Sequence, residues 1–124
     1  MKRIKGVTPV IIDTNALIMK IEYRIDFEEE LAVLLGGNEI LIPSTVLDEL
    51  KNIENKNAKA ALKFAERYRV IESVKRGDDA ILSLALKLNA VVVTNDRELR
   101  NRLKEKELKV IYIRQRSYLA MDVP

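Results

Sequence analysis

Short apolar runs recur along the chain and are separated by longer stretches whose apolar residues repeat with a helical period. Each run holds three or four consecutive apolar residues, which is typical of strands buried on both faces of a sheet. The pattern predicts strands at residues 10–12, 40–42, 90–93 and 110–113, with a weaker strand at 69–71.

The intervening segments predict helices at residues 27–35, 44–53, 58–68, 79–88 and 96–106. In the fourth of these, one face is apolar because Ala80, Ile81, Leu84, Ala85 and Leu88 recur at helical spacing. Strands that alternate with helices pair in parallel through crossover helices. The chain is therefore expected to form a three-layer α/β/α sandwich around a parallel sheet.

Length and composition predict a single domain spanning residues 1–124. A chain of 124 residues that is 48% apolar closes one core, and no Pro/Gly/Ser-rich linker divides it. No apolar run approaches the roughly 18 residues of a membrane span, and no apolar signal segment follows the first residues. We expect a soluble, cytoplasmic protein without membrane contact.

The chain contains no His and no Cys, and this absence restricts its chemistry. A Ser-His-Asp triad, a Cys nucleophile and a Cys/His zinc site are all excluded. Carboxylates and hard cations such as Mg²⁺ or Mn²⁺, which prefer oxygen ligands, remain available. The formal net charge of +3 is too small to indicate a polyanionic partner by itself.

Two aspartates directly follow apolar runs. Asp13 comes after the run at 10–12, and Asp96 ends the Thr94-Asn95-Asp96 segment after the run at 90–93. In open parallel sheets the functional crevice lies beyond the carboxyl ends of the strands, so both carboxylates are predicted at that edge. Each is also explained as a helix N-cap, so neither one alone indicates function.

Further acids stand near predicted helix starts. Thr45 and Asp48 match a capping box, which leaves Glu49 in the second turn without a capping duty. Asp78 and Asp79 are adjacent at a helix start, where the macrodipole favours carboxylates. Because neighbouring helical residues project in different directions, one of the pair is expected to face the crevice. Asp79, immediately ahead of the apolar face, is the predicted inward residue.

The convergence of these carboxylates at one sheet edge would distinguish a metal site from ordinary helix caps. Several carboxylates in one place repel one another and raise one another's pKa unless a cation neutralises them. A divalent ion lowers the pKa of an attacking water and stabilises the charge that develops on a phosphodiester. The acidic set therefore predicts Mg²⁺ or Mn²⁺ bound for phosphodiester hydrolysis.

The order and spacing of these pieces resemble the PIN-domain ribonucleases. The resemblance combines Asp13 after the first strand, Glu49 in Pro-Ser-x-Val-x-x-Glu-Leu, Asp79 before Ala-Ile-Leu, and Thr-x-Asp ending at Asp96. It runs from residue 10 to about residue 113, and its specificity lies in the ordered set. Residues 77–79, 94–100 and 110–118 look most like archaeal and eukaryotic PIN proteins related to small-subunit rRNA processing, with the VapC toxins as the next branch.

The resemblance implies a metal-dependent endoribonuclease that cleaves single-stranded or structured RNA, with rRNA processing as the expected role. It implies a sheet of about five strands in the order 3-2-1-4-5, and we expect the core of the domain at about 7–113 with a basic C-terminal tail at 114–124. A homodimer, an antitoxin partner or a ribosome-assembly partner is compatible with it. The implied metal-binding or catalytic residues are Asp13, Glu49, Asp79 and Asp96, supported by Asn15, Ser44 and Thr94, with Asp78 as a neighbour.

Basic residues near the expected site suggest where RNA phosphates would bind. Arg97 and Arg100 follow Asp96, and Arg114 and Arg116 follow the last predicted strand. Three other functions stay open: a VapC-type toxin, a catalytically silent RNA-binding or assembly module, and a metal-dependent phosphatase or DNA nuclease.

Overall fold

The computed structural model describes residues 6–122, which form six strands and six helices. The strands are β1 (Thr8–Ile12), β2 (Asn38–Pro43), β3 (Arg69–Ile71), β4 (Val91–Val93), β5 (Val110–Arg114) and β6 (Tyr118–Asp122). The helices are α1 (Thr14–Tyr23), α2 (Phe27–Leu35), α3 (Ser44–Asn52), α4 (Lys56–Ala65), α5 (Gly77–Leu88) and α6 (Arg97–Glu105). Within the described range, no helix is long and apolar enough to cross a membrane.

The sheet has the strand order β3-β2-β1-β4-β5-β6, which confirms the predicted order of the first five strands. Those five are parallel, and β6 pairs with β5 in the antiparallel direction. Because successive strand residues face opposite sides of the sheet, the fold has two cores. Val10 and Ile12 pack on one side with helices α1 to α4, and Ile11 packs on the other with α5 and α6. This is the predicted three-layer sandwich.

Two elements differ from the sequence-based prediction. Helix α1 was not among the predicted helices. The expected basic tail at 114–124 begins with the last residue of β5, and its residues 118–122 form strand β6; residues 123 and 124 lie outside the described residues. The turn between these strands contains Gln115 and Arg116, both with positive φ. Such a turn normally contains Gly or Asn, so no hairpin signal is visible in the sequence.

Strand β6 is held at the sheet edge by contacts with α2 and α6. The Leu119 N–H donates to Glu30 Oε1 at 2.9 Å, and Asp122 accepts from Arg100 Nη2 at 2.8 Å. Lys104 Nζ lies 3.2 Å from the other Asp122 oxygen. These contacts make β6 part of the folded domain.

Asn95 fastens the carboxyl end of β4 to β5 through both ends of its amide. Its Nδ2 donates to the Ile113 carbonyl at 2.9 Å, and its Oδ1 accepts from the Ile113 N–H at 2.6 Å. Asn95→Ala would leave two strand backbone groups unpaired, so we expect the free energy of unfolding to fall by about 2–3 kcal/mol. Urea denaturation measures this change, with Asn101→Ala at an exposed position of α6 as the matched control. Equal losses in the two variants would contradict the expectation.

Candidate active site

Asp13 is buried at the carboxyl end of the central strand β1 and is also the N-cap of α1. Its Oδ1 accepts from the Ala16 N–H at 2.8 Å, and its backbone N–H continues the sheet ladder to the Val93 carbonyl at 3.1 Å. The side-chain position is therefore fixed by both β1 and α1. Asp13 can therefore be both a helix cap and a site residue, because Oδ1 caps α1 and Oδ2 is left for other contacts.

Thr94 joins Asp13 to Asp96. The fully buried Thr94 hydroxyl donates to Asp13 Oδ2 and accepts from the Asp96 backbone N–H at 3.1 Å. Asp96 itself is the N-cap of α6, where its Oδ1 accepts from the Leu99 N–H at 2.8 Å. Because β1 and β4 are neighbours, with Ile12 opposite Val93, the two aspartates stand at adjacent strand ends.

Glu49 reaches the same edge from α3. Its Oε1 accepts from the Thr14 hydroxyl at 3.1 Å, which links α3 to the first residue of α1. Sequence reasoning did not single out Thr14, although the hydroxyl directly beside Asp13 was a signal that could have found it. Thr14 thus orients one acid while its neighbour Asp13 supplies another.

The three acids line a shallow pocket of about 70 Å³ together with Asp78 from α5. The wall is completed by Thr14, Asn15, Gly77 and Ile81. Gly77 has a φ of +60°, a conformation that glycine adopts without strain, where α5 begins. Four separate elements of the fold therefore bring one carboxylate each to this pocket.

Burial and mutual repulsion raise the pKa of two of these acids. Burial, with smaller contributions from Asp78 and Asp96, raises the pKa of Asp13 to about 6, although the hydrogen bonds from Thr94 and Ala16 oppose the change. The pKa of Asp78 is raised by burial and then by Asp96, with Arg102 opposing. A site that penalises carboxylate charge in this way favours a neutralising cation.

The donor set fits a hard divalent cation in its chemistry, because it consists only of carboxylate, hydroxyl and amide oxygens. Within residues 6–122, no three acids already stand in a close metal-binding group. Carboxylates that repel one another separate, and a cation that neutralises them draws them together. The pocket therefore offers suitable ligands without a rigid preformed cage.

Comparison with known proteins decides the family. The sequence model of a protein family described as a PIN-like domain matches residues 10–116, and this range includes all four pocket acids. The chain belongs to the PIN-like domain family. Ribonuclease VapC4 of Methanocaldococcus jannaschii is 31% identical over 88% of this PIN domain and 92% of its own length. Ribonuclease VapC9 of Archaeoglobus fulgidus is 29% identical over 85% of this PIN domain and 82% of its own length.

Solved structures agree on the fold of this PIN domain. The PIN domain endonuclease Utp24 superposes with a TM-score of 0.81 and 24% identity, covering 94% of this chain and 92% of that one. A domain of a functionally unknown protein from Methanocaldococcus jannaschii superposes with a TM-score of 0.61 and 17% identity, covering 86% and 91%.

The predicted inward position of Asp79 is wrong, because Asp78 faces the pocket of the PIN domain instead. Asp79 is exposed, and its Oδ1 accepts from Arg102 Nη2 at 2.8 Å, a bond that lowers its pKa. Helix phase explains the difference. Asp78 lies three residues before Ile81, which lines the same pocket, whereas Asp79 lies one residue, or about 100°, further around the helix. Helical spacing of three or four, rather than adjacency to the apolar face, sets the direction of each acid.

The predicted supporting role of Ser44 at the pocket is also not what the structure shows. The Ser44 hydroxyl accepts from the Ser73 N–H at 3.0 Å, and the Ser73 hydroxyl accepts from the Thr45 N–H at 3.3 Å. Ser44 therefore ties the start of α3 to the segment after β3. Thr45 is buried beside it and makes no capping bond, so the predicted capping box with Asp48 is wrong as well.

The four arginines proposed as RNA contacts occupy different environments. Arg100 is half-buried, binds Asp122 and lies 4.3 Å from the Tyr112 ring centroid, so it fastens α6 to the β5–β6 hairpin. Arg97 and Arg114 are exposed, and neither forms an ion pair with another described residue. Arg116 is exposed 5.8 Å from the Tyr23 ring. Arg100 is thus a structural residue, and none of the four lines the acidic pocket.

Proposed function

We propose that this PIN domain is a Mg²⁺- or Mn²⁺-dependent endoribonuclease that acts at the acidic pocket. The observation that supports it is the pocket itself, in which Asp13, Glu49, Asp78 and Asp96 meet at the carboxyl ends of β1 and β4. These four acids would hold the cation. When bound, such an ion activates a water and neutralises charge on the phosphodiester.

The residues around the acids have positioning roles in this proposal. Thr94 orients Asp13 and the start of α6, and Thr14 orients Glu49. Asn15 is exposed at the pocket rim, where its amide is available to a phosphate or a ribose hydroxyl. The preference for RNA follows the ribonuclease relatives, since carboxylates alone do not distinguish RNA from DNA.

Matched RNA and DNA strands test the proposed activity. We expect purified protein with Mn²⁺ or Mg²⁺ to cleave RNA, to leave DNA of the same sequence intact, and to lose cleavage in EDTA. Asp13→Asn is the control for contaminating nuclease. Cleavage of DNA alone would favour a DNA nuclease, and RNA binding without cleavage above the Asp13→Asn level would favour a catalytically silent module.

Two biological roles compete for this activity. The resemblance of residues 77–79, 94–100 and 110–118 to PIN proteins of small-subunit rRNA processing supports a role in rRNA processing. The two VapC ribonucleases, similar over most of their length, support a toxin role with an antitoxin partner. RNA crosslinked to the protein in cells and mapped at nucleotide resolution separates them. Ribosomal RNA would support processing, whereas transfer or messenger RNA would support a toxin.

A further inference from the structure

A second cleft opens beside the acidic pocket and shares two residues with it. This cleft has a volume of about 470 Å³, and Glu49 and Gly77 belong to the walls of both cavities. The remaining wall comes from α3, through the buried Thr45 and the exposed Asp48, Lys51 and Asn52, and from Arg76, the residue before α5. A ligand that fills the cleft therefore continues directly into the acidic pocket.

The cleft presents two exposed cations that have no partner elsewhere in the described chain. Lys51 and Arg76 form no ion pair with any residue in 6–122. Five other cations, by contrast, are engaged with acids: Arg67, Arg69, Arg100, Arg102 and Lys104. The Arg76 side chain also makes no capping bond to α5. Both side chains are thus available to a phosphate.

The other polar side chains of the cleft suit a nucleobase. The side-chain amide of Asn52 offers an NH₂ group that donates hydrogen bonds and an oxygen that accepts them. The Asp48 carboxylate adds a further acceptor on the same wall. Unpaired bases are recognised through hydrogen bonds to their edges. The cleft volume lies within the range of roughly 300–1,000 Å³ that is usual for small-ligand sites, so one nucleotide fits.

We propose that this cleft is a subsite for one unpaired nucleotide adjacent to the scissile phosphate. Arg76 and Lys51 bind the phosphate of that nucleotide, while Asn52 and Asp48 contact its base. This inference rests on the proposed ribonuclease function, and it names the substrate region as single-stranded. It also assigns binding to residues that precede α5 and end α3, not to the arginines after Asp96.

RNA binding in EDTA tests the subsite without relying on cleavage. The probe is a short fluorescent single-stranded RNA, and its dissociation constant is measured by anisotropy over a series of salt concentrations. For Arg76→Ala and Lys51→Ala we expect weaker binding by about 5- to 10-fold, and a salt slope smaller by about 0.7 for each phosphate that the variant no longer neutralises. Arg76→Lys is expected to recover most of the affinity.

Lys109→Ala is the matched control, because Lys109 is exposed just before β5, at the amino end of that strand, whereas the pocket lies at the carboxyl ends of β1 and β4. Unchanged affinity and salt slope in both cleft variants, or a loss no larger than that of Lys109→Ala, would overturn the subsite. Failure of the ribonuclease proposal looks different. In that case wild-type protein with Mn²⁺ leaves RNA intact, whatever the cleft variants do to binding.

Discussion

Asp78→Asn is expected to lower kcat/KM for RNA cleavage by about 100-fold or more, whereas Asp79→Asn leaves it within about threefold of wild type. Asp78 lines the acidic pocket, and Asp79 binds Arg102 on the outer side of the same helix turn. The substitutions are chemically identical and one residue apart. The comparison therefore separates a position in the pocket from a general effect on α5.

Steady-state cleavage of one RNA at saturating Mn²⁺ measures both variants, with circular dichroism as the check on folding. Equal losses in Asp78→Asn and Asp79→Asn would contradict the assignment of Asp78. A larger loss in Asp79→Asn would restore the expectation drawn from the sequence.

Asp13→Asn is expected to stabilise the protein at pH 7.5 in EDTA by roughly 1–2 kcal/mol. The pKa of Asp13 is about 6 in the fold, above the ordinary value of 3.8, so the folded state binds this proton more tightly than the unfolded chain. The ionised carboxylate therefore costs stability above about pH 6, and that cost disappears as the pH falls towards 4. Asparagine keeps an acceptor for the Ala16 N–H and removes the buried charge, but its NH₂ group cannot accept from the Thr94 hydroxyl, and this lost hydrogen bond offsets part of the gain.

Urea denaturation at pH 7.5 and pH 5 measures the effect, and Asp26→Asn is the matched control at the exposed N-cap of α2. The advantage of Asp13→Asn is expected to shrink at pH 5. Saturating Mn²⁺ is expected to stabilise the wild type by about 2.7 kcal/mol at 100 times its dissociation constant and Asp13→Asn, which binds the ion at least about 10-fold more weakly, by about 1.4 kcal/mol or less, and so to narrow or cancel the difference. Lower stability of Asp13→Asn in EDTA at pH 7.5 would contradict the expected cost of the buried charge.

The sequence predicted the parallel part of the fold because buried strands leave a simple signature. The runs at 10–12, 40–42, 90–93 and 110–113 are apolar at every position, since both faces of these strands are covered. Strand β6 is different. It lies at an edge, its residues are mostly half-buried, and its turn lacks Gly and Asn, so no local pattern indicated it.

The site was predictable to the extent that strand ends determine position. Asp13 and Asp96 follow β1 and β4 directly, so sheet topology alone brings them together. Asp78 and Glu49 lie on helices, where a shift of one position along the chain turns the side-chain direction by about 100°. The direction of each of these side chains therefore depends on the residue at which its helix begins. The cleft beside the pocket was not predicted, because α3 and the segment before α5 meet only in the folded chain.

A Mn²⁺ binding isotherm, followed by electron paramagnetic resonance of the free ion, tests most directly whether the acidic pocket is a cation site. We expect saturable binding to wild type and to Asp79→Asn, with affinity lowered at least about 10-fold in Asp13→Asn and Asp78→Asn. Wild-type protein that binds no Mn²⁺, or pocket variants that bind it as tightly as wild type, would contradict a cation site at these four acids.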